Sequence, residues 1–336
     1  VSQGSEAPLD GQAESELRVK PFYGHSLIGL EQSYDTEPDT LRLAKNCGAR
    51  IYRVACDMSS PTAGLELEVA VDRVRNLGMD VLVTATYSPP DLGEYHQVPL
   101  TTEQRTEWAE RVGAVIKRNV GRVRAVEVWN EPNHRPFNDQ PNLERWIPRY
   151  VDLLNKTYRE IKKADRNIIV TTGGTSPRGT DANGFSPIEW TKGLYARTPP
   201  RFDALAHHPY SFPYPASTAK DWNSCWQTLT IAAVVRWNEA LRSMPMKPIY
   251  ATEVNFPSYP PDHAPIERAV DERTQVDRFL DLAHLWRSWE WTGPLIWFGV
   301  RDGKDGDLAK THGGLHRADG TPKPIVPYFR EVARQG

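Results

Sequence analysis

Ala125-Val126-Glu127-Val128-Trp129-Asn130-Glu131-Pro132-Asn133 begins as an apolar, β-rich run and turns polar where a strand would meet its loop. An amide and a carboxylate stand at that end, and Pro132, which has no N–H to give to a ladder, stops the strand there. A second run of the same design, Pro248-Ile249-Tyr250-Ala251-Thr252-Glu253, also ends on a carboxylate. Outward from these two, strand-length apolar runs alternate with segments of helical period. Strands are predicted over 22–28, 50–56, 80–86, 125–130, 167–172, 202–208, 248–253 and 294–298. Helices are predicted over 40–47, 65–77, 103–119, 143–164, 188–196, 225–243, 272–289 and 325–333, the second closing at Gly78. Such alternation is the pattern of parallel βα units.

Eight units suit an α/β fold, a single (β/α)8 TIM barrel, with the length above about 250 residues spent on loops. An open doubly wound sheet would announce a GxGxxG or GxxxxGK[ST] turn, and the sequence has neither. Gly173-Gly174 reads as an isolated turn. The expected organisation is an N-terminal extension over 1–20 and one catalytic barrel over 21–336.

The 336 residues carry 41 basic and 43 acidic side chains, a net charge of −2, which gives no electrostatic case for nucleic acid or an acidic membrane surface. No run of eighteen apolar residues is present, so no spanning helix is expected. Cys47, Cys56 and Cys225 lack metal-ligand spacing; their odd number leaves at least one free thiol, and small buried thiols are the expected state. His312 and His316 are separated by Gly313-Gly314 and sit in no HExxH, so they read as loop histidines. No metal or cofactor is expected. The aromatic content is high, with 11 Trp, 13 Tyr and 9 Phe. Phe212, Tyr214, Trp222 and Trp226, after the sixth strand, could stack on flat, half-apolar ligand rings or pack the loop itself.

In a barrel the C-terminal strand ends converge on one mouth, and polar groups there carry chemistry. Strands four and seven face each other across it, which would bring Glu131 and Glu253 together. Two carboxylates about 5–5.5 Å apart can share a double displacement on a glycoside, one as nucleophile, the other as acid and then base. Desolvation beside Trp129 would raise the Glu131 pKa and keep it protonated as the acid. For either glutamate alone, a salt-bridged structural role is the ordinary alternative.

Trp129-Asn130-Glu131-Pro132-Asn133 with a lone glutamate on strand seven resembles the clan A glycoside hydrolases, and most closely family 39, the β-xylosidase and iduronidase type with its bacterial relatives. The ending Gly314-Leu315-His316-Arg317-Ala318-Asp319-Gly320-Thr321-Pro322-Lys323-Pro324 is similar to one common in these barrels. The resemblance implies a retaining hydrolase of poly- or oligosaccharides, with Glu131 as acid/base and Glu253 as nucleophile. It also implies that Arg53 and Tyr210 support the nucleophile, that Asn130 bonds the sugar 2-OH, and that Trp297 forms the sugar platform. His208, with Trp129, completes the expected substrate-binding set; His207 and His208 are adjacent, so on a strand they point to opposite faces. The histidine that several clan families carry after strand three is missing from Thr86-Tyr87-Ser88-Pro89-Pro90-Asp91, with Tyr87 or His96 as possible substitutes.

The expected partner is a carbohydrate, a monomer is compatible with the reading, and a secreted, periplasmic or cell-surface location fits such a substrate. Two other readings stand beside it. One is a carbohydrate-binding barrel without turnover. The other is an enzyme of a phosphorylated metabolite, using Gly299-Val300-Arg301-Asp302-Gly303-Lys304-Asp305-Gly306 as a phosphate loop.

Overall fold

The computed structural model describes residues 27–32, 35–138, 143–196, 199–260 and 263–335. Eight parallel strands carry the fold: β1 (Ile28–Glu31), β2 (Ile51–Asp57), β3 (Asp80–Thr86), β4 (Ala125–Val128), β5 (Ile169–Thr172), β6 (Leu205–His207), β7 (Ile249–Val254) and β8 (Thr292–Phe298). Their order is β5-β4-β3-β2-β1-β8-β7-β6. Backbone bonds close the circle between β5 and β6: Asp203 N donates to Val170 O (2.7 Å), Thr172 N to Ala204 O (3.2 Å) and His208 N to Thr175 O (3.1 Å). The sheet is a TIM barrel, as the repeating βα pattern predicts.

Among the described residues, eight helices of nine residues or more surround it: α1 (Pro38–Asn46), α2 (Ala63–Asn76), α3 (Thr102–Lys117), α4 (Trp146–Ala164), α5 (Pro187–Tyr195), α6 (Ser224–Ala240), α7 (Glu272–Arg287) and α8 (Ile325–Arg334). In α4 the buried positions Tyr150, Val151, Leu153, Leu154, Thr157 and Ile161 recur at helical spacing and face the sheet. Thr101 and Gln104 form a reciprocal capping box at the start of α3, and Gly78, at φ +68°, follows the end of α2. Among the described residues no helix is long and apolar enough to cross a membrane. Cys47, Cys56 and Cys225 are all free and buried.

One strand sits differently from the sequence reading. The first strand was predicted over 22–28, whereas β1 runs Ile28–Glu31; residues 22–26 and the 1–20 extension lie outside the described residues. The apolar run extends through Leu30, and pairing Ile28 with Leu295 and Glu31 with Phe298 carries the strand three residues further, to a carboxylate at the mouth.

Candidate active site

The barrel interior is layered. Ile51, Leu82, Ala125, Ile169, Ala204, Tyr250 and Ile296 form an apolar plug at one level. Two residues further along the strands, where side chains return to the same face, the composition turns polar: Arg53, Thr84, Glu127, Thr171 and Thr252 are all buried. The plug excludes water from below, so this second layer must satisfy its own charges.

Strand β7 breaks its alternation at the mouth. Leu295 pairs with Ala251 and Trp297 with Val254, so three steps on β7 match two on β8. A bulge of this kind re-aims side chains. Thr252 and Glu253 consequently both turn inward, Thr252 Oγ1 donating to Glu127 Oε1 (2.8 Å) and Glu253 reaching Arg53.

Arg53 is the hub. Its Nε donates to Glu127 Oε2 (2.7 Å), Nη1 to Glu31 Oε2 (2.5 Å) and to Glu253 Oε1 (2.7 Å), and Nη2 to Asn130 Oδ1 (2.9 Å). Tyr210 O–H donates to the other Glu253 oxygen (3.1 Å). Glu127 is buried outright, a position that raises a carboxyl, yet Arg53, His208 and hydroxyl bonds from Thr84 and Thr252 hold it below its ordinary range. Its second oxygen also accepts from Gly174 N (2.8 Å). Glu31 lacks that provision. Burial outweighs the pull of Arg53 and pushes its carboxyl up to about 8, and its Oε1 has no hydrogen-bond partner.

Glu131 follows β4 on a strained turn. Trp129 has φ +74° and Glu131 φ +39°, unusual for residues with side chains and a cost that tends to collect at functional sites. His208 Nδ1 lies 3.0 Å from Glu131 Oε1 and 3.6 Å from Glu253 Oε2. His134 Nδ1 lies 3.6 Å from Glu131 Oε2. One oxygen of each glutamate and one ring nitrogen of His208 all fall within 4.8 Å of one another. That spacing could also collect a cation, but Arg53 and Tyr210 already occupy both Glu253 oxygens, and a second positive charge beside the guanidinium would be repelled.

The expected elevation of the Glu131 pKa is not what these surroundings produce. Burial does push the carboxyl up, but nearby His134 and the hydrogen-bonded His208 pull harder and take it down to about 2. The two glutamates draw His208 the other way: burial lowers it, and their charges more than reverse that, leaving it raised. His207, on the opposite face, bonds Thr175 Oγ1 (2.7 Å) and Ser224 O (3.1 Å), and burial lowers it to about 4.

Two tryptophans expected at the mouth are elsewhere. Trp129 faces the helices, its ring 5.6 Å from that of Trp108 and its Nε1 donating to Phe137 O. It cannot desolvate Glu131 in the manner the sequence suggested. Trp297 points outward from β8 into Phe256 (6.2 Å) and Phe279 (5.5 Å), and its Nε1 donates to Gly313 O (2.9 Å). Ile296 and Phe298 take the inward positions on that strand, and Phe298 lines the cavity. Strand parity decides this, because Trp297 follows an inward residue.

Four contributors escaped the sequence reading: Glu31, Glu127, Thr252 and His134. Glu127 had a signal, a charge inside an apolar strand at an even step from the inward-facing Ala125. Glu31 was hidden by the misplaced first strand. His134 lies beyond the motif, in a loop with no periodicity.

The cavity above these groups holds about 1030 Å³ and is lined by Glu31, Arg53, Asn130, Glu131, Tyr210 and Glu253 among others. Tyr87, Phe212, Tyr214 and Trp222 give it an aromatic rim; Tyr214 and Trp222 are half exposed, with rings 4.5 Å apart. Tyr87 thus reaches the site, and His96 lines an adjoining cavity.

No known sequence family and no curated relative matches the chain. Solved structures do. A family 39 glycoside hydrolase from the gut symbiont Bacteroides cellulosilyticus WH2 superposes with a TM-score of 0.65 at 19% identity, over 93% of this chain and 64% of that one. Bacteroides uniformis β-glucuronidase 2, as a calcium-binding mutant, gives 0.62 at 17% identity, over 91% of this chain and 34% of that one. A monomeric β-xylosidase from Caulobacter crescentus CB15 gives 0.63 at 15%, over 91% and 68%. The chain therefore spans less than two thirds of the first two. At these identities the likeness is one of fold, and it is to glycosidase barrels.

Proposed function

We propose that this chain is a retaining glycoside hydrolase of a poly- or oligosaccharide, with Glu253 as nucleophile and Glu131 as acid/base. The observation that carries the reading is the spacing of the two carboxylates. Oxygens of Glu131 and Glu253 approach within 4.8 Å, near the roughly 5–5.5 Å of double displacement and short of the roughly 6.5–9.5 Å that leaves room for water in inversion.

In this reading Glu253, its charge supported by Arg53 and Tyr210, attacks the anomeric carbon. The glycosidic C–O bond breaks as Glu131 gives its proton to the leaving oxygen, and a glycosyl ester forms on Glu253. Glu131, now a carboxylate, takes a proton from water; the water oxygen attacks the same carbon and the ester bond breaks, restoring Glu253. His208 touches Glu131 and lies near Glu253, so it can hold the proton while Glu131 is ionised. Asn130 is oriented by Arg53, which leaves its amide N–H groups for a sugar hydroxyl.

The fold likeness to glycosidase barrels supports the substrate class without specifying a sugar. A phosphate reading finds less support. Arg301, the arginine of the glycine-rich loop, bonds Thr40 Oγ1 (2.7 Å) and faces Asp35 (3.7 Å). A panel of aryl glycosides and polysaccharides, with NMR of the first-formed sugar anomer, tests the reading. Turnover with retained configuration is expected; binding without turnover would favour the non-catalytic barrel, and inverted product would rule out retention.

A further inference from the structure

The cavity over Glu131 and Glu253 does not end at the acid/base. A second cavity of about 670 Å³ adjoins it, and His134, Pro136, Ser176 and Pro177 line both. His134 is also the side chain against Glu131 Oε2, so the extension leaves the site on the flank of the group that protonates the departing oxygen. A leaving group must lie on that flank.

Its wall is aromatic and continuous. Tyr87 and Phe137 line the first cavity, Tyr95 and His96 the second. Tyr95 stacks on Tyr87 with centroids 4.2 Å apart and planes at 22°. His96 sets its edge to Tyr87 (5.2 Å) and Tyr95 (4.6 Å), and reaches Phe137 at 6.2 Å. Tyr95 is 42% exposed, and its hydroxyl is tethered by donation to Asp57 Oδ2 (3.0 Å). A fixed ring beside open polar volume is the surface on which a pyranose face stacks. The volume falls within the roughly 300–1,000 Å³ of a small-ligand pocket, ample for sugar beyond the scissile bond.

We propose that Tyr95 and His96 form a leaving-group subsite for further sugar units, so that the chain favours substrates whose departing portion is two or more sugars long over those with a short leaving group. The inference rests on the glycosidase reading and adds a direction of binding to it. Stacking on one ring contributes on the order of a three- to tenfold change in affinity, and an aryl leaving group reaches no further than the acid/base.

The test uses the whole chain, the 4-nitrophenyl mono- and disaccharides that it hydrolyses, and reducing-end-labelled oligosaccharides of two to six units of the same sugar. Tyr95→Ala should lower kcat/KM roughly three- to tenfold on the longer oligosaccharides and leave the nitrophenyl substrates unchanged. Tyr95→Phe, which keeps the ring and loses the Asp57 bond, should stay near the parent on both. The parent's kcat/KM should rise with the number of sugar units on the departing side of the scissile bond. No gain in parent kcat/KM with the length of the departing portion, equal losses on both substrate types, no loss with Tyr95→Ala, or a Tyr95→Phe as impaired as Tyr95→Ala would overturn the subsite while leaving the glycosidase intact. Absence of turnover on every substrate would remove the glycosidase reading, and this inference with it.

Discussion

Nδ1 of His208 stands 3.0 Å from Oε1 of Glu131, and neither group can titrate alone at that distance. Against the effect of burial, His134 and His208 take Glu131 down to about 2, and the charges of Glu253 and Glu131 raise His208 above its ordinary 6.5. The proton that the pair shares therefore rests mostly on the imidazole. The proposed double displacement requires that proton on Glu131.

The alkaline limb of kcat/KM should therefore report loss of the pair's proton, at a pH above 6.5. Below that value the proton is present; above it the acid is gone. His208→Gln removes the imidazole, so Glu131 must hold the proton unaided and the limb should move toward acid. A limb at the parent position in an active His208→Gln would show that another group supplies the proton.

Glu31 makes the opposite kind of prediction, on stability. Its carboxyl stands at about 8 in the folded chain against an ordinary 4.5. The folded protein holds a proton that the unfolded chain releases, so this group's contribution is intact below about 4.5 and is lost as pH rises through about 8. Glu31→Gln cannot ionise and avoids the loss. The Tm difference between Glu31→Gln and the parent should grow from pH 5 to 8 in favour of the variant and level off above 9. A difference that stays constant with pH would contradict this account of Glu31.

Gly174 makes room for His208. A Cβ there would lie 2.2 Å from His208 Nε2 and 2.6 Å from Thr252 Oγ1, while Gly179 has nothing within 4 Å. Gly174→Ala should cost about 1–3 kcal/mol of overpacking, several degrees of Tm, together with most of the activity. Gly179→Ala should match the parent in both. Full activity in Gly174→Ala would show that the His208 position is not required.

Much of the fold was legible because each βα unit is local: a strand needs its apolar run and a helix its period. The two glutamates were legible because carboxylates ending apolar strands are costly without a purpose. The errors have different physical origins. Trp297 and Trp129 sit in strand-end motifs, yet the side a residue faces follows from register, and one step separates mouth from core. The paired inward turn of Thr252 and Glu253 depends on a bulge set by the partner strand, which no local pattern encodes. The charge balance around Glu131 comes from His134, three residues on in an aperiodic loop, and from His208, which only closure of the barrel brings to it.

The division of labour between Glu131 and Glu253 is tested most directly by azide rescue with NMR assignment of the product anomer. Glu253→Ala should be nearly inactive on an activated aryl glycoside, and azide filling the vacated position should displace the aryl group once, giving inverted glycosyl azide. Glu131→Ala should still form the glycosyl-enzyme, because that leaving group needs no proton, and azide should then give retained product after two displacements. Retained azide product from Glu253→Ala, or inverted product from Glu131→Ala, would contradict the assignment of nucleophile and acid/base.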